Sequence, residues 1–443
     1  MKQLTIQALL NLQWVDIAQL QLHMPNKGNS SPCTLLYQLD YAIKYMERCD
    51  EYACSLSLPV QIMIGHEASS WFGFLDDIVP SGAARRYWIE YLGLQQLSLQ
   101  QQDILLLEKG TIAPVGNLRI KEAIPVLNPL STLHLQHFSI NDVINRDSDF
   151  LQYAQQMGAI SGGATGAGGE APKLLIRRSP QQQVWIDTFQ QRFDQQDLHY
   201  LVKFPRNKRS EIDCNILRAE YHYYQILTEL GFDTIAVPEM QLIEGENYPS
   251  LWLPRFDTHW DGKNWRRYGL ESVYSILQRP AGSHLNHFEV IEQLCLLLVR
   301  INPQFNSSQF VCEWLQRDLL NIIFGNSDNH GRNTSFLKKN GQIVLAPIYD
   351  FAPMKADPEG IVRLTTWGSP YEEGGEYRWQ AITEKLANLC DPNLSLNALQ
   401  TLAKKLLDLK QILIRQGVPR QIIDMPVLGF DYIEQKLKRW QLL

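Results

Sequence analysis

Two carboxylates and an amide in the second half of the chain have the types and spacing for phosphoryl transfer. Asp328 and Asn333 lie five residues apart in NSDNHGRNTSFL, Asn326–Leu337. At that spacing the acid faces an acceptor hydroxyl while the amide oxygen holds a metal ion. The next carboxylate is Asp350, in LAPIYDFAP, Leu345–Pro353. It reads as the end of a strand-like run and as a second metal contact. Moving a phosphoryl group requires neutralised phosphate charge and a hydroxyl held in line, which an acid, an amide and a second acid around Mg2+ supply. A lone D-x(4)-N is equally an ordinary polar turn, so the pattern needs support from elsewhere.

That support lies upstream. Lys203 sits in HYLVKFP among apolar neighbours, as a phosphate-binding lysine on a strand does. Glu220 follows seventeen residues later in LRAEYHYYQIL, placing a carboxylate on a helix suited to orienting Lys203. Taken singly, each reads as a snorkelling lysine and a solvated glutamate. In the order Lys, Glu, Asp, Asn, Asp they read as one catalytic set.

A glycine-rich stretch, ISGGATGAGGEAPK, precedes these residues at Ile160–Lys173. It contains no Gly-Lys-Ser/Thr and so is not a Walker A loop. Gly166, Gly168 and Ala171 fit GxGxxG/A, but no clear strand precedes them and no acidic ribose partner is evident, which speaks against a dinucleotide site. Its backbone amides can wrap a triphosphate, with Lys173 nearby as a point charge. A flexible linker is the other reading. Arg255 and Phe256, within the aromatic-rich stretch Tyr248–Tyr268, offer an adenine platform, although such aromatics also build cores. His330 reads as a hydrogen-bonding residue rather than a base.

Several elements must position these groups. Residues 1–120 mix expected strands, Thr34–Tyr37 and Leu56–Ile64, with expected helices, Leu39–Arg48 and Ala83–Leu92. Strands are expected at Lys173–Arg177, Val184–Phe189, His199–Phe204 and Leu251–Phe256. Leu217–Leu230 has helical spacing and stops at Gly231. Beyond about residue 268 the chain reads as helical: Glu271–Gln278, Phe288–Arg300, Ser308–Phe324, Ala381–Leu389 and Leu396–Gln416. The expected division is therefore 1–125, 126–265 and 266–443.

Composition narrows the class. The 443 residues are 45% apolar and 20% charged, enough for a sizeable core. A net charge of -6 provides no global basic field, so direct nucleic-acid binding is not expected. The seven cysteines form no CxxC pair, which speaks against a zinc site or a disulfide framework. The N-terminus lacks a signal-peptide pattern and no apolar run is long enough to span a bilayer. A cytoplasmic location and no membrane partner are expected.

On these residues the sequence resembles the HipA family of serine/threonine kinase toxins, over nearly its whole length. DNHGRN followed by LAPIYDF is similar to the family's D-G-H-x-K-N and L-x-P-x-Y-D pair, with Asn329 and Arg332 as conservative departures. EYHYYQILTELGF and LPRFD (Leu253–Asp257) resemble its helix and its hinge strand ending in E-R-F-D, with Pro254 replacing the hinge acid. SLSLPV (Ser55–Val60), FLDDIVPSGAARR (Phe74–Arg86) and Asp103–Leu118 are similar to its N-terminal subdomain. The long glycine-rich loop points to a divergent, HipH-like branch.

The resemblance implies an α+β, bilobal protein-kinase-like fold with an N-terminal β-rich subdomain and a largely helical C-terminal lobe. It implies ATP and Mg2+ as cofactors, Lys203 on the phosphates, Asp328 as catalytic acid/base, and Asn333 and Asp350 on the metal. It implies autophosphorylation in the glycine-rich loop, where Ser161 and Thr165 are the candidate hydroxyls. An aminoacyl-tRNA synthetase as protein substrate and a helix-turn-helix antitoxin as partner are implied in the same way. Two other readings stand beside it: a small-molecule kinase of the aminoglycoside or choline type, and a non-catalytic partner of an antitoxin or operator complex.

Overall fold

Alternating burial along the first strands shows how the N-terminal sequence folds. In Cys33–Tyr37, Cys33, Leu35 and Tyr37 are buried and the residues between them are not, as the two-residue period of a strand requires. This strand, β3, belongs to a five-stranded antiparallel sheet with β1 (Lys2–Leu10), β2 (Gln13–Leu22), β4 (His66–Ala68) and β5 (Leu118–Ile120), in the order β4-β3-β2-β1-β5. Ile6, Leu20, Leu35, Phe72, Phe74 and Leu107 are among the residues of its core. The computed structural model describes residues 1–124, 136–157, 173–187 and 192–443.

A second antiparallel sheet contains β6 (Phe138–Ser139), β7 (Lys173–Arg178), β8 (Gln183–Trp185), β9 (Leu198–Lys203), β10 (Gln241–Glu244) and β11 (Pro249–Pro254). Their order is β10-β11-β9-β7-β8-β6. Leu174, Ile176, Tyr200, Val202 and Trp252 pack in its core. The β7–β9 register sets Lys173 directly opposite Lys203.

Two of the stretches that depart from the sequence expectation do so around one carboxylate. Glu271 lies in a strand, Gly269–Ser272, which pairs with Ser335–Lys339 and through it with Gln342–Leu345. Only one helical turn, Val273–Ile276, follows it, capped by Ser272 Oγ accepting from Ser275 N at 3.1 Å. Leu56–Ile64 forms turns rather than a strand. Leu56 N donates to Glu271 Oε2 at 2.9 Å, the Ser55 hydroxyl donates to Oε1, and Pro59 has no N–H to offer a ladder. Lys338 Nζ, 3.3 Å from Oε2, completes this buried site.

These elements form one compact unit, Met1–Asn207, Pro238–Ala281 and Thr334–Ala346. A second unit contains Lys208–Val237, Gly282–Asn333 and Pro347–Leu443. Its main helices are Glu211–Leu230, His287–Ile301, Ser307–Phe324, Trp379–Lys385, Pro392–Leu406 and Leu409–Gln416. The first begins earlier than its apolar spacing suggests, because Ser210 and Asp213 form a capping box. It ends at Gly231, whose φ of 93° is the left-handed cap expected there. The apolar run Leu396–Gln416 divides between two helices at Leu407–Asp408. Among the described residues, no helix is long and apolar enough to cross a membrane.

Candidate functional site

The helix Ser307–Phe324 delivers the Asp328 loop. Gly325 ends it in the left-handed region at φ 72°, and a side chain there would strike Leu428. Asn326 then shapes the turn: its Nδ2 donates to Asn321 Oδ1 at 3.0 Å, and its Oδ1 accepts from Asp328 N at 3.3 Å. The Asp328 side chain is 20% exposed, open enough to meet a substrate.

Asn333 turns back on Asp328. Its Nδ2 donates to the Asp328 carbonyl at 2.7 Å, which fixes the direction of the amide. Its Oδ1 is buried and, among the described residues, accepts no hydrogen bond. A buried acceptor without a donor is costly unless a cation completes it. His330 Nδ1 accepts from Arg332 N at 3.2 Å, so the ring proton belongs on Nε2, 3.4 Å from Asp328 Oδ1. Burial pushes the His330 pKa down, against the opposing pull of Asp328. The ring is therefore a neutral neighbour of the acid, as a hydrogen-bonding role requires. Tyr349 Oη donates to the Arg332 carbonyl at 2.5 Å and braces the far side of the loop.

Asp350 is not at a strand end. The strand stops at Leu345, Pro347 cannot donate to a ladder, and Asp350 stands in a loop with φ 53°. A left-handed aspartate is a locally strained conformation of the kind that clusters at functional sites. The loop is fastened at Ile348, whose N–H donates to Asp233 O and whose carbonyl accepts from Thr234 Oγ1, each at 2.8 Å. Phe351 packs against Tyr223 and Phe324, with ring centroids 5.9 and 5.4 Å away.

Tyr224 joins this loop to Glu220. Its hydroxyl donates to Glu220 Oε1 at 2.6 Å and accepts from Phe351 N at 3.3 Å. Burial first, then the negative charges of Glu220 and Asp350, hold the phenol far above its ordinary pKa, so it remains a donor. Asp350 also acts electrostatically on His330. The second unit thus gathers Glu220, Asp328, Asn333 and Asp350. Sequence reasoning missed Tyr224, although its position four residues after Glu220 on one helix face was available as a signal.

The first unit carries the remaining described candidates. Lys203 is buried at the end of β9, with half-buried Lys173 opposite. Like charges directly across a strand pair are unfavourable unless an anion offsets them. Arg255 and Phe256 follow β11. The Arg255 guanidinium is committed to Asp257, with Nε to Oδ1 at 2.9 Å and Nη2 to Oδ2 at 2.6 Å. Asp257 also accepts from Gly116 N at 2.7 Å. Burial alone would raise its pKa, but Arg255, Arg267 and Gly116 hold it at about 2. Gly166, Gly168, Ser161 and Thr165 lie outside the described residues.

A divalent cation suits the donors of the second unit. Among the described residues, no group of three His, Cys, Asp or Glu forms a protein-only cage. An amide oxygen and one or two carboxylates, with phosphate and water supplying the rest, is the pattern Mg2+ prefers.

Comparisons with known proteins bear on this arrangement. A family model described as the HipA-like C-terminal domain matches residues 165–409 of the 443. The chain belongs to the HipA-like family. The solved HipA of Shewanella oneidensis MR-1, in a complex with HipB and operator DNA, is similar at 16% identity and a TM-score of 0.64, covering 99% of this chain and 96% of that one. That likeness shows the fold, the kinase-like α+β architecture expected from sequence. The Helicobacter pylori proinflammatory kinase CtkA matches at 15% identity and a TM-score of 0.36, covering 61% of this chain and 90% of that one. No curated protein matches the sequence.

Proposed function

We propose that the chain is an ATP- and Mg2+-dependent serine/threonine protein kinase of the HipA toxin type. The observation that carries this reading is Asn333: its amide is oriented by the Asp328 carbonyl while its buried oxygen has no protein donor among the described residues. Asn333 and Asp350 would hold Mg2+, which neutralises charge on the phosphates. Asp328 takes the proton of the acceptor hydroxyl as its oxygen bonds to the γ-phosphorus and the bond to ADP breaks. Lys203 and Lys173 are the candidate cations for the phosphates, and Glu220 is the candidate acid of the ATP-binding set. The backbone at Arg255–Phe256 is the candidate adenine contact, since the Arg255 side chain is engaged by Asp257.

Autophosphorylation at Ser161 or Thr165 would switch the enzyme off, because a phosphate there repels those of ATP. The Shewanella HipA is seen with HipB and operator DNA. We infer an antitoxin partner of that kind here, and the net charge of -6 favours contact with DNA through that partner rather than directly. An aminoacyl-tRNA synthetase is the proposed class of protein substrate.

The test is phosphate transfer from labelled ATP, with phosphoproteomics after brief expression, for wild type and Asp328→Ala. Label on protein serine or threonine from wild type alone supports the reading. Equal labelling by the variant refutes it, as does transfer confined to small alcohols.

A further inference from the structure

The side chain between Asp328 and His330 makes bonds that neither the proposed metal site nor the ATP site requires. Asn329 Nδ2 donates to Thr365 O at 2.7 Å, while its Oδ1 accepts from Leu364 N at 3.0 Å and Thr365 N at 3.3 Å. One amide thus acts as a strand partner for Leu364–Thr365. The segment it grips is itself held. Leu364 O accepts from Leu285 N at 2.8 Å, and Thr365–Thr366 pairs in parallel with Leu285–Asn286.

The preceding residue returns to the helix that leads into the loop. Arg363 Nη2 lies 3.0 and 3.2 Å from the two oxygens of Asp318, a buried residue of the helix Ser307–Phe324. Trp367 Nε1 donates to the same carboxylate at 2.8 Å. The helix, the Asp328 loop, Asn329, Leu364–Thr365, Arg363 and Asp318 therefore close a ring of bonds. A peptide flanked by such a ring cannot rotate without breaking several hydrogen bonds at once.

We propose that Asn329 and Arg363 are positioning residues for Asp328, Asn329 directly and Arg363 through the strap it anchors. This rests on the kinase reading and adds to it. Neither residue touches a reacting atom; both hold the peptide that aims the carboxylate. A carboxylate displaced by about 1 Å loses up to about 100-fold in rate, because the acceptor hydroxyl no longer lies in line. ATP and metal contacts made by other residues are left unchanged.

The experiment compares full-length wild type, Asn329→Gly, Arg363→Met and the double variant. Phosphate transfer is measured against ATP concentration, and rates are normalised to the ATP-binding fraction. Asn329→Gly is expected to lower kcat about 30-fold with KM for ATP within twofold. The double variant is expected to be no more than about twofold worse than the weaker single one, since both cut the same ring. Should Arg363→Met fail to fold, Asn329→Gly alone decides. A kcat for Asn329→Gly within twofold of wild type overturns the strap, as does a loss confined to KM. Wild type that transfers no phosphate brings down the kinase reading, a separate and recognisable result.

Discussion

Glu220 and Phe351 share one hydroxyl, that of Tyr224, which donates to the carboxylate at 2.6 Å and receives the Phe351 N–H at 3.3 Å. The phenol thereby ties the acid on the helix Glu211–Leu230 to the peptide that follows Asp350. Removing it changes both ends: the glutamate loses a charge-assisted hydrogen bond, and a buried N–H loses its acceptor.

Tyr224→Phe is therefore expected to cost about 1–3 kcal/mol of stability, read by urea unfolding. Because Asp350 is proposed to hold Mg2+, the same variant should also need several-fold more Mg2+ for half-maximal phosphate transfer. A variant destabilised by that amount but with an unchanged Mg2+ requirement would leave the tyrosine a purely structural part.

The amide and acid proposed for the metal make a ligand-linked prediction. Wild type should gain thermal stability from ATP with Mg2+ beyond that from ATP with EDTA, since a ligand that binds only the folded state raises its melting temperature. Asn333→Ala and Asp350→Ala should abolish the Mg2+ increment while keeping the increment from ATP. Differential scanning fluorimetry reads each of the three proteins without ligand, with ATP and EDTA, and with ATP and Mg2+. An undiminished Mg2+ increment in both variants would remove these residues from the metal site.

How much of this was legible in advance depends on how local the cause is. Asp328 and Asn333 could be picked out because their spacing along the chain already encodes their juxtaposition, and Gly231 because a left-handed cap is a property of one residue. Glu271 could not, since its apolar neighbours suit a helix as well as a strand and the choice is made by partners at Ser55, Leu56 and Lys338, far away in sequence. The opposition of Lys173 and Lys203 is a matter of strand register, invisible until the pairing of β7 with β9 is known. Asp350 looked like a strand end because Ile348 and Tyr349 are good strand residues, whereas Pro347 removes the ladder donor and Thr234 captures the chain instead.

The buried Glu271 site supplies a stability prediction. Lys338→Met removes the cation and leaves a carboxylate enclosed with hydroxyl and amide donors only, for an expected loss of about 3–5 kcal/mol. Glu271→Gln should cost a comparable amount, because the Lys338 ammonium is then buried among neutral acceptors, such as the Ala53 carbonyl 3.1 Å away. Equilibrium denaturation reads both, and a loss below about 1 kcal/mol in either variant would contradict a buried ion pair that matters for folding.

Two acid-sensitive steps are expected in stability. His330 has its pKa pushed down by burial, while in the unfolded chain it ionises near 6.5. Below that value the unfolded state takes up a proton that the folded state resists, so the contribution is intact above about pH 6.5 and declines as the solution is acidified from there. Asp257 works in a lower window: held at about 2 against an ordinary 3.8, it stabilises fully above about pH 4 and loses that contribution on the way to pH 2. The corresponding free energy is on the order of 2 kcal/mol. Burial pushes His199 and His222 down in the same window, so unfolding free energies measured from pH 8 to pH 3 should show the first decline reduced in part by His330→Gln, which cannot ionise. A decline unaltered by that substitution would assign the first step to another group.

The way the two compact units share the chain carries a consequence for how the protein can be made and handled. The backbone passes from one unit to the other at 207/208, 237/238, 281/282, 333/334 and 346/347. Neither unit is a contiguous piece, so no single cut releases either one whole. A ribosome that has emitted the first three hundred residues has completed neither, and Lys338, which neutralises Glu271, has yet to be synthesised. The nascent protein must therefore keep substantial apolar surface waiting for late arrivals, which makes chaperone dependence during translation, and the failure of expressed fragments, natural outcomes of its topology.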